Sequence, residues 1–134
     1  MHKLLIILFI LCSHIILAKD YQVKLQVTNL PTDTKPVLLR IYNGNLFVVD
    51  STAIRENNNV IFPIPANTSP GMFKVLLGMN SRNPGMPPSL PVTTDFLFNH
   101  ENITLKLDFN DPANTIEVIE SKENKLYFDF LKSD

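Results

Sequence analysis

The chain has little cysteine, glycine or tryptophan, and neither sign of charge dominates. One of its 134 residues is cysteine, four are glycine and none is tryptophan. Lysine and arginine number 12 against 13 aspartates and glutamates, which gives a formal net charge of −1 at pH 7. A nucleic-acid-binding protein needs a basic surface to neutralise phosphates, so this balance argues against a nucleic acid partner. The length fits one domain, and a hydrophobic content of 45% argues against disorder.

The first eighteen residues, MHKLLIILFILCSHIILA, differ from the rest of the chain. A short basic start at His2 and Lys3 precedes an apolar run, and the segment ends in Ala18. This layout predicts a secretory signal peptide over residues 1–18. The alternative is an uncleaved N-terminal anchor, which would be the chain's only association with a membrane.

The single cysteine, Cys12, lies inside this predicted signal peptide. After cleavage the exported chain would contain no cysteine. It would therefore have no disulfide, no thiol nucleophile and no thiolate ligand for a metal.

Residues 19–120 form the predicted domain. Apolar and polar residues alternate in short segments that turn residues separate, which is typical of half-buried strands. This pattern predicts an all-β fold, an antiparallel β-sandwich of about seven to eight strands with a short C-terminal helix. The predicted strands are YQVKLQVT (21–28), VLLRIY (37–42), NLFVVDSTAI (45–54), VIFPI (60–64), MFKVLLGM (72–79), VTTDFLFN (92–99), ENITLKLDFN (101–110) and TIEVIE (115–120).

Three details sharpen this prediction. Asn43-Gly44 is a strong signal for a two-residue hairpin turn, because both residues accept the positive φ of a type I′ turn. Pro63 has no N–H, so its strand should lie at an edge or contain a bulge. MFKVLLGM is apolar on both faces, which predicts a central strand that is covered on both sides.

Residues 121–134 read as a helix that begins close to the last residue of the sequence. Ser121 can act as N-cap by accepting a hydrogen bond from the N–H of Asn124, and Glu123 lies in the first turn, where negative charge is favoured. A short isolated helix is unstable. We therefore consider two interpretations, the start of a longer helical connector and a cap that closes one end of the sandwich.

The sequence offers no constellation of residues that points to catalysis. There is no nucleophile motif and no phosphate-binding loop. His100 stands beside Glu101 in a predicted turn, and we interpret both as solvated rather than as metal ligands. Asp50-Ser51-Thr52 is interpreted as a hydrogen-bonding element at a strand end, since neighbours in a strand alternate faces. We therefore predict no catalytic residue, no cofactor, no metal and no enzyme activity.

The proline-rich stretch NSRNPGMPPSLP is the best candidate for a partner-binding loop. It is long for a compact domain, and such loops are often functional. Its methionines could offer adaptable apolar contacts. The alternative is a plain flexible insertion. The candidate binding residues are Met79, Arg82, Pro84, Met86, Pro87 and Pro88.

Several short segments of the sequence resemble one family. They are YQVKLQV, the NLP turn, IYNGNLFVVDST with its Asp-Ser step, and the end of the domain, FLFNHENITLKLDFNDPANTIEVIESKENKLYFDFL, with its S-x-E-N helix start. Together they span most of residues 21–134. They resemble the N-terminal β domain of unknown function that precedes thioredoxin-like (AhpC-TSA) domains in bacterial envelope thiol-disulfide oxidoreductases.

The resemblance implies an exported protein of the bacterial periplasm or cell envelope. It also implies a non-catalytic accessory domain whose partner is a thioredoxin-like domain or another envelope protein. In the family, the final helix leads into a connector and a domain with a C-x-x-C motif, and this sequence contains neither. We therefore expect a fragment, a truncated gene or a solitary relative. The rival hypothesis is a stand-alone envelope β-sandwich that binds a peptide or a carbohydrate.

Overall fold

The computed structural model describes residues 20–79 and 91–133. The predicted signal peptide lies outside these residues, and so does the predicted binding loop from Arg82 to Pro88. The described residues form nine strands and two helices. These are β1 (Tyr21–Thr28), β2 (Val37–Tyr42), β3 (Asn45–Asp50), β4 (Ile54–Glu56), β5 (Asn59–Ile64), β6 (Gly71–Met79), β7 (Pro91–Phe98), β8 (Ile103–Asp108), α1 (Pro112–Thr115), β9 (Glu117–Glu120) and α2 (Lys122–Lys132).

The strands form two sheets. The five-stranded sheet has the order β4-β5-β1-β8-β9, and the four-stranded sheet has the order β3-β2-β6-β7. The prediction of an all-β sandwich with a short C-terminal helix is confirmed. Of the strand pairings, that of β1 with β8 is parallel and the other six are antiparallel. The sandwich is therefore not purely antiparallel, because the chain changes sheets before β8 and returns beside β1 in the same direction.

The inward residues of both sheets make one core. In β1 the alternating apolar residues Val23, Leu25 and Val27 have no exposed surface. In the four-stranded sheet, the Phe73 ring stacks on Phe96 at 5.8 Å between ring centroids and meets Phe98 edge-on at 5.9 Å. Burying one such side chain contributes about 1.5–3 kcal/mol.

Strand β6 is central in its sheet, as predicted, but it is not fully buried on both faces. Phe73 and Val75 on the inner face are buried, whereas Met72 and Lys74 on the outer face are half-buried. The expectation of complete cover on both sides is wrong, because a two-layer sandwich covers only the inner face of each sheet.

The turn predictions are confirmed. Asn43 and Gly44 have φ values of 51° and 76°, so the hairpin between β2 and β3 has a turn with positive φ at both positions. Pro63 lies where β5 has one neighbour, because the pairing of β4 with β5 ends at Ile54 and Ile61. Its missing N–H is thus tolerated at a local sheet edge.

The predicted strand 45–54 is in fact two strands in different sheets. Asp50 Oδ1 accepts hydrogen bonds from the backbone N–H and the hydroxyl of Thr52, both at 2.8 Å. This local turn ends β3 and lets the chain cross to the five-stranded sheet, where β4 begins at Ile54. The interpretation of Asp50-Ser51-Thr52 as a strand-end hydrogen-bonding element is therefore confirmed, and the turn accounts for the additional strand.

A second hydrogen-bonded turn closes the parallel pair at the end of β8. The backbone N–H of Asn110 and the side-chain amide of Asn29 both donate to Asp108 Oδ1, at 2.9 and 3.1 Å. These bonds favour the ionised carboxylate, first through Asn110 and then through Asn29, and they hold the pKa of Asp108 below its usual value.

The lowered pKa predicts a pH-dependent contribution of Asp108 to stability. The contribution is present above the ordinary aspartate pKa of about 3.9, and it is lost as the pH falls through the lowered pKa. Asp108→Asn should therefore reduce the free energy of unfolding at neutral pH and should lose that effect in strong acid. Chemical denaturation at both pH values measures the difference, and an unchanged deficit in acid would contradict the assignment.

Candidate functional site

The candidate site lies where helix α2 meets strand β7 at the edge of the four-stranded sheet. The hydroxyl of Ser121 accepts a hydrogen bond from the backbone N–H of Asn124 at 3.0 Å, which confirms the predicted N-cap. Helix α2 then runs for eleven residues. Its first turn is held by the side chains of three residues, of which the sequence identified only this cap.

Glu101 is the second of these residues. Its carboxylate accepts from the Ser121 hydroxyl at 2.5 Å and from the backbone N–H groups of Lys122 and Glu123, both at 3.2 Å. A carboxylate at this position satisfies the free N–H groups of the first turn and complements the positive end of the helix. The interpretation of Glu101 as merely solvated is therefore wrong, because the β7–β8 turn directs it at the helix.

Asn124 is the third residue, and it is fully buried. Its side-chain oxygen accepts from the backbone N–H of Leu97 at 2.8 Å, and its amide nitrogen donates to the Leu97 carbonyl at 2.8 Å and to the Ser121 hydroxyl at 2.9 Å. The side-chain amide therefore makes the two hydrogen bonds to Leu97 of β7 that the backbone of a neighbouring strand would make. An asparagine one turn into a helix, three residues after its N-cap, was the available signal, but the sequence does not show which strand it reaches.

Helix α2 has apolar side chains that pack on the sandwich and others that are exposed. Phe128 packs partly against the core, whereas Phe130 is 72% exposed and both Leu126 and Leu131 are also exposed. Leu126 and Phe130 are four residues apart, so they share one face of the helix, and that face points to solvent. The start of the helix is anchored to the sandwich, as the cap interpretation expects, and its continuation into a longer connector stays a prediction.

A groove of about 370 Å³ runs between β7, α1 and α2. Its apolar walls include Ile116, Tyr127 and Leu131, and its polar groups include Asp95 and Lys132. Asp95 forms an ion pair with Lys74 on β6, with 3.0 Å between Nζ and Oδ1. Lys132 Nζ donates to the carbonyl of Ile116 at 3.4 Å, which ties the last turn of α2 to the segment after α1.

The predicted partner-binding residues lie at the end of β6 or outside the described part of the chain. Met79 is the last residue of β6, and Arg82, Pro84, Met86, Pro87 and Pro88 lie outside the described residues. Within residues 20–79 and 91–133, no group of three or more His, Cys, Asp or Glu side chains could hold a metal ion. His100 contacts the rings of Tyr21 and Phe98, with 5.8 and 5.6 Å between centroids.

Comparison of the chain with protein-family models, with characterised proteins and with solved structures finds no match to it. The resemblance of short segments to the β domain that precedes thioredoxin-like domains therefore stays a prediction. Among the residues that the structure describes, no helix has the length and apolar character that a membrane crossing requires.

Removing the Asn124 side chain should destabilise the fold. Asn124→Ala leaves the N–H and carbonyl of Leu97 without these partners, and an unpaired buried polar group costs about 1–3 kcal/mol. We expect a loss of that size in the free energy of unfolding, measured by chemical denaturation. The matched control is Asn110→Ala at an exposed position, which should change stability by less than about 0.5 kcal/mol. Equal effects of the two substitutions would contradict the anchoring role.

Removing the Phe130 ring should have little effect on folding. Because the ring is mostly exposed, Phe130→Ala should change the free energy of unfolding by less than about 0.5 kcal/mol. Phe98→Ala, which removes a ring from the core, should cost about 3–5 kcal/mol in the same denaturation assay. A large loss in the Phe130 variant would mean that this ring packs against the sandwich.

Proposed function

We propose that this chain is an exported interaction domain of the bacterial cell envelope that binds a thioredoxin-like domain or another envelope protein and performs no catalysis of its own. The observation that carries the proposal is the outer face of α2. The helix is fixed at its start, yet it leaves Leu126 and Phe130, four residues apart on this face, exposed.

This apolar face is suited to binding because its position is set before a partner arrives. Glu101 and Asn124 fix the first turn of the helix against β7 through several hydrogen bonds. Contiguous exposed apolar side chains on a soluble domain mark interaction sites. A fixed apolar helix face loses less conformational entropy on binding than a disordered segment would.

The sequence resemblance supports the same partner class. The S-x-E-N segment that resembles the family contains Ser121 and Asn124, the two residues whose side chains hold α2 to the sandwich. A domain that leads into a redox partner through this helix needs such an attachment at the junction. The S-x-E-N segment therefore attaches the helix to the sandwich, and such an attachment fits a connection between two domains.

A second candidate function is a stand-alone envelope domain that binds a peptide or a carbohydrate. The groove beside α2 favours it, since apolar walls with a few polar groups are typical of ligand sites. Tyr127 offers an aromatic surface, and Asp95 and Lys132 offer one charge of each sign. In this case the ligand would occupy the groove, and the outer face of α2 would not be the primary contact.

Site-specific photo-crosslinking in living cells tests the first proposal. A photoreactive amino acid in place of Phe130 should capture an envelope protein that contains a thioredoxin-like domain or another defined envelope partner. The matched control is the same amino acid in place of Glu56. That residue is exposed on β4, the edge of the five-stranded sheet opposite β9 and α2. Capture that is equal at both positions, or absent at Phe130, would contradict the proposal.

Export is tested separately from binding. Mass spectrometry of the chain from an envelope fraction should find an N-terminus at Lys19 or a close neighbour, because the apolar run and Ala18 match a cleaved leader. Intact Met1 on a cytosolic protein would overturn the assignment to the envelope.

A further inference from the structure

Strand β3 is an apolar sheet edge that is exposed on both of its faces. Leu46 and Val48 share one face, Phe47 lies on the other, and Val49 follows at the irregular end of the strand. All four side chains are between 44% and 68% exposed. Because β3 is the terminal strand of the four-stranded sheet, its outer edge also has no neighbour among the described strands.

From Asn45 to Val48 the edge lacks the usual protection against strand pairing. Soluble proteins protect such edges with lysine, proline, bulges or short strands. Strand β3 contains no lysine, arginine or proline, and its one charged residue is Asp50 at the end. Its pairing with β2 is irregular between Val48 and Asp50, so Asn45 to Val48 remain regular.

The hairpin determines which backbone groups are free. Tyr42 and Asn45 flank a two-residue turn and form a hydrogen-bonded pair, and paired and unpaired positions then alternate along the strands. Phe47, opposite Arg40, therefore directs its N–H and carbonyl toward β2. Leu46 and Val48 direct theirs toward the open edge.

We propose that a second copy of this chain pairs with this edge, β3 against β3, in an antiparallel arrangement about a two-fold axis at Phe47. In this register Leu46 lies opposite Val48 of the second copy, and the reverse pair is identical by symmetry. The two pairs exchange about four N–H···O bonds. The four-stranded sheets of the two copies then form one continuous sheet.

The occupant is a second copy because β3 is complementary to itself. A strand that fits this edge must be apolar on both faces, and β3 has that composition. A two-fold axis requires self-complementary contacts. The register provides them, since Phe47 meets Phe47, and Asp50 lies outside the regular segment Asn45 to Val48 in both copies. The only charged residue of the strand is therefore not opposed by its like.

This interface is separate from the proposed binding face. Strand β3 and strand β7, which carries α2, are opposite edges of the same sheet. Both surfaces can be occupied at once. A failure of self-association would therefore leave the α2 proposal intact, and the reverse also holds.

A charge-swap experiment tests the pairing and its register. Sedimentation velocity of the purified chain over a wide concentration range should show a monomer–dimer equilibrium. Phe47→Glu and Phe47→Lys each place like charges directly opposite across the axis, so each variant alone should lose the dimer. A mixture of the two variants should regain it. Phe130→Glu, a matched change on the exposed face of α2, should leave the dimer intact.

Each outcome decides the proposal. Dimer loss in both single variants with recovery in the mixture supports it. A chain that is monomeric at all concentrations overturns it, as does a dimer that survives Phe47→Glu. If the monomer nevertheless shows slow amide exchange at Leu46 and Val48, another segment of the same chain covers the edge, and the second-copy assignment is wrong.

Discussion

The pairing of the Asn124 side chain with the backbone of Leu97 is the interaction on which the functional part of the structure depends. An open sheet ends in strands whose N–H and carbonyl groups lack a neighbour. At β7 a single amide supplies both a donor and an acceptor at 2.8 Å. The same contact sets the position of α2, so sheet edge and helix are stabilised together.

The position of α2 in turn determines what the surface offers. With its first turn held by Glu101 and Ser121, the helix cannot rotate about its axis to bury Leu126 and Phe130 without breaking those bonds. Phe130 and Leu126 consequently stay exposed. The two edges of the four-stranded sheet then differ in kind. Helix α2 covers β7, whereas the outer edge of β3 has no neighbour among the described strands and its apolar side chains are exposed.

Local pattern predicted most of the sandwich, because alternation and turn chemistry act over a few residues. The strand of Val23 and Leu25 and the Asn43-Gly44 turn needed no distant information. The parallel pairing of β1 with β8 could not be predicted, since it depends on when the chain changes sheets.

Contacts between residues far apart in the sequence also limit how much of the site the sequence can predict. The Ser121 cap was visible because its partner is three residues away. Glu101 lies 20 residues before Ser121, and Leu97 lies 27 residues before Asn124. Nothing in the sequence near these residues indicates either contact. From the sequence alone Glu101 is therefore interpreted as solvated, and no contact with a strand is predicted for Asn124.

Native-state amide hydrogen exchange tests the central claim most directly. If Asn124 joins α2 to β7, the amides of Leu97 and of residues 125–129 should exchange slowly and together, with protection that matches the core strands. Fast exchange across residues 125–129, beside a protected core, would show that the helix is not part of the sandwich and would contradict the account.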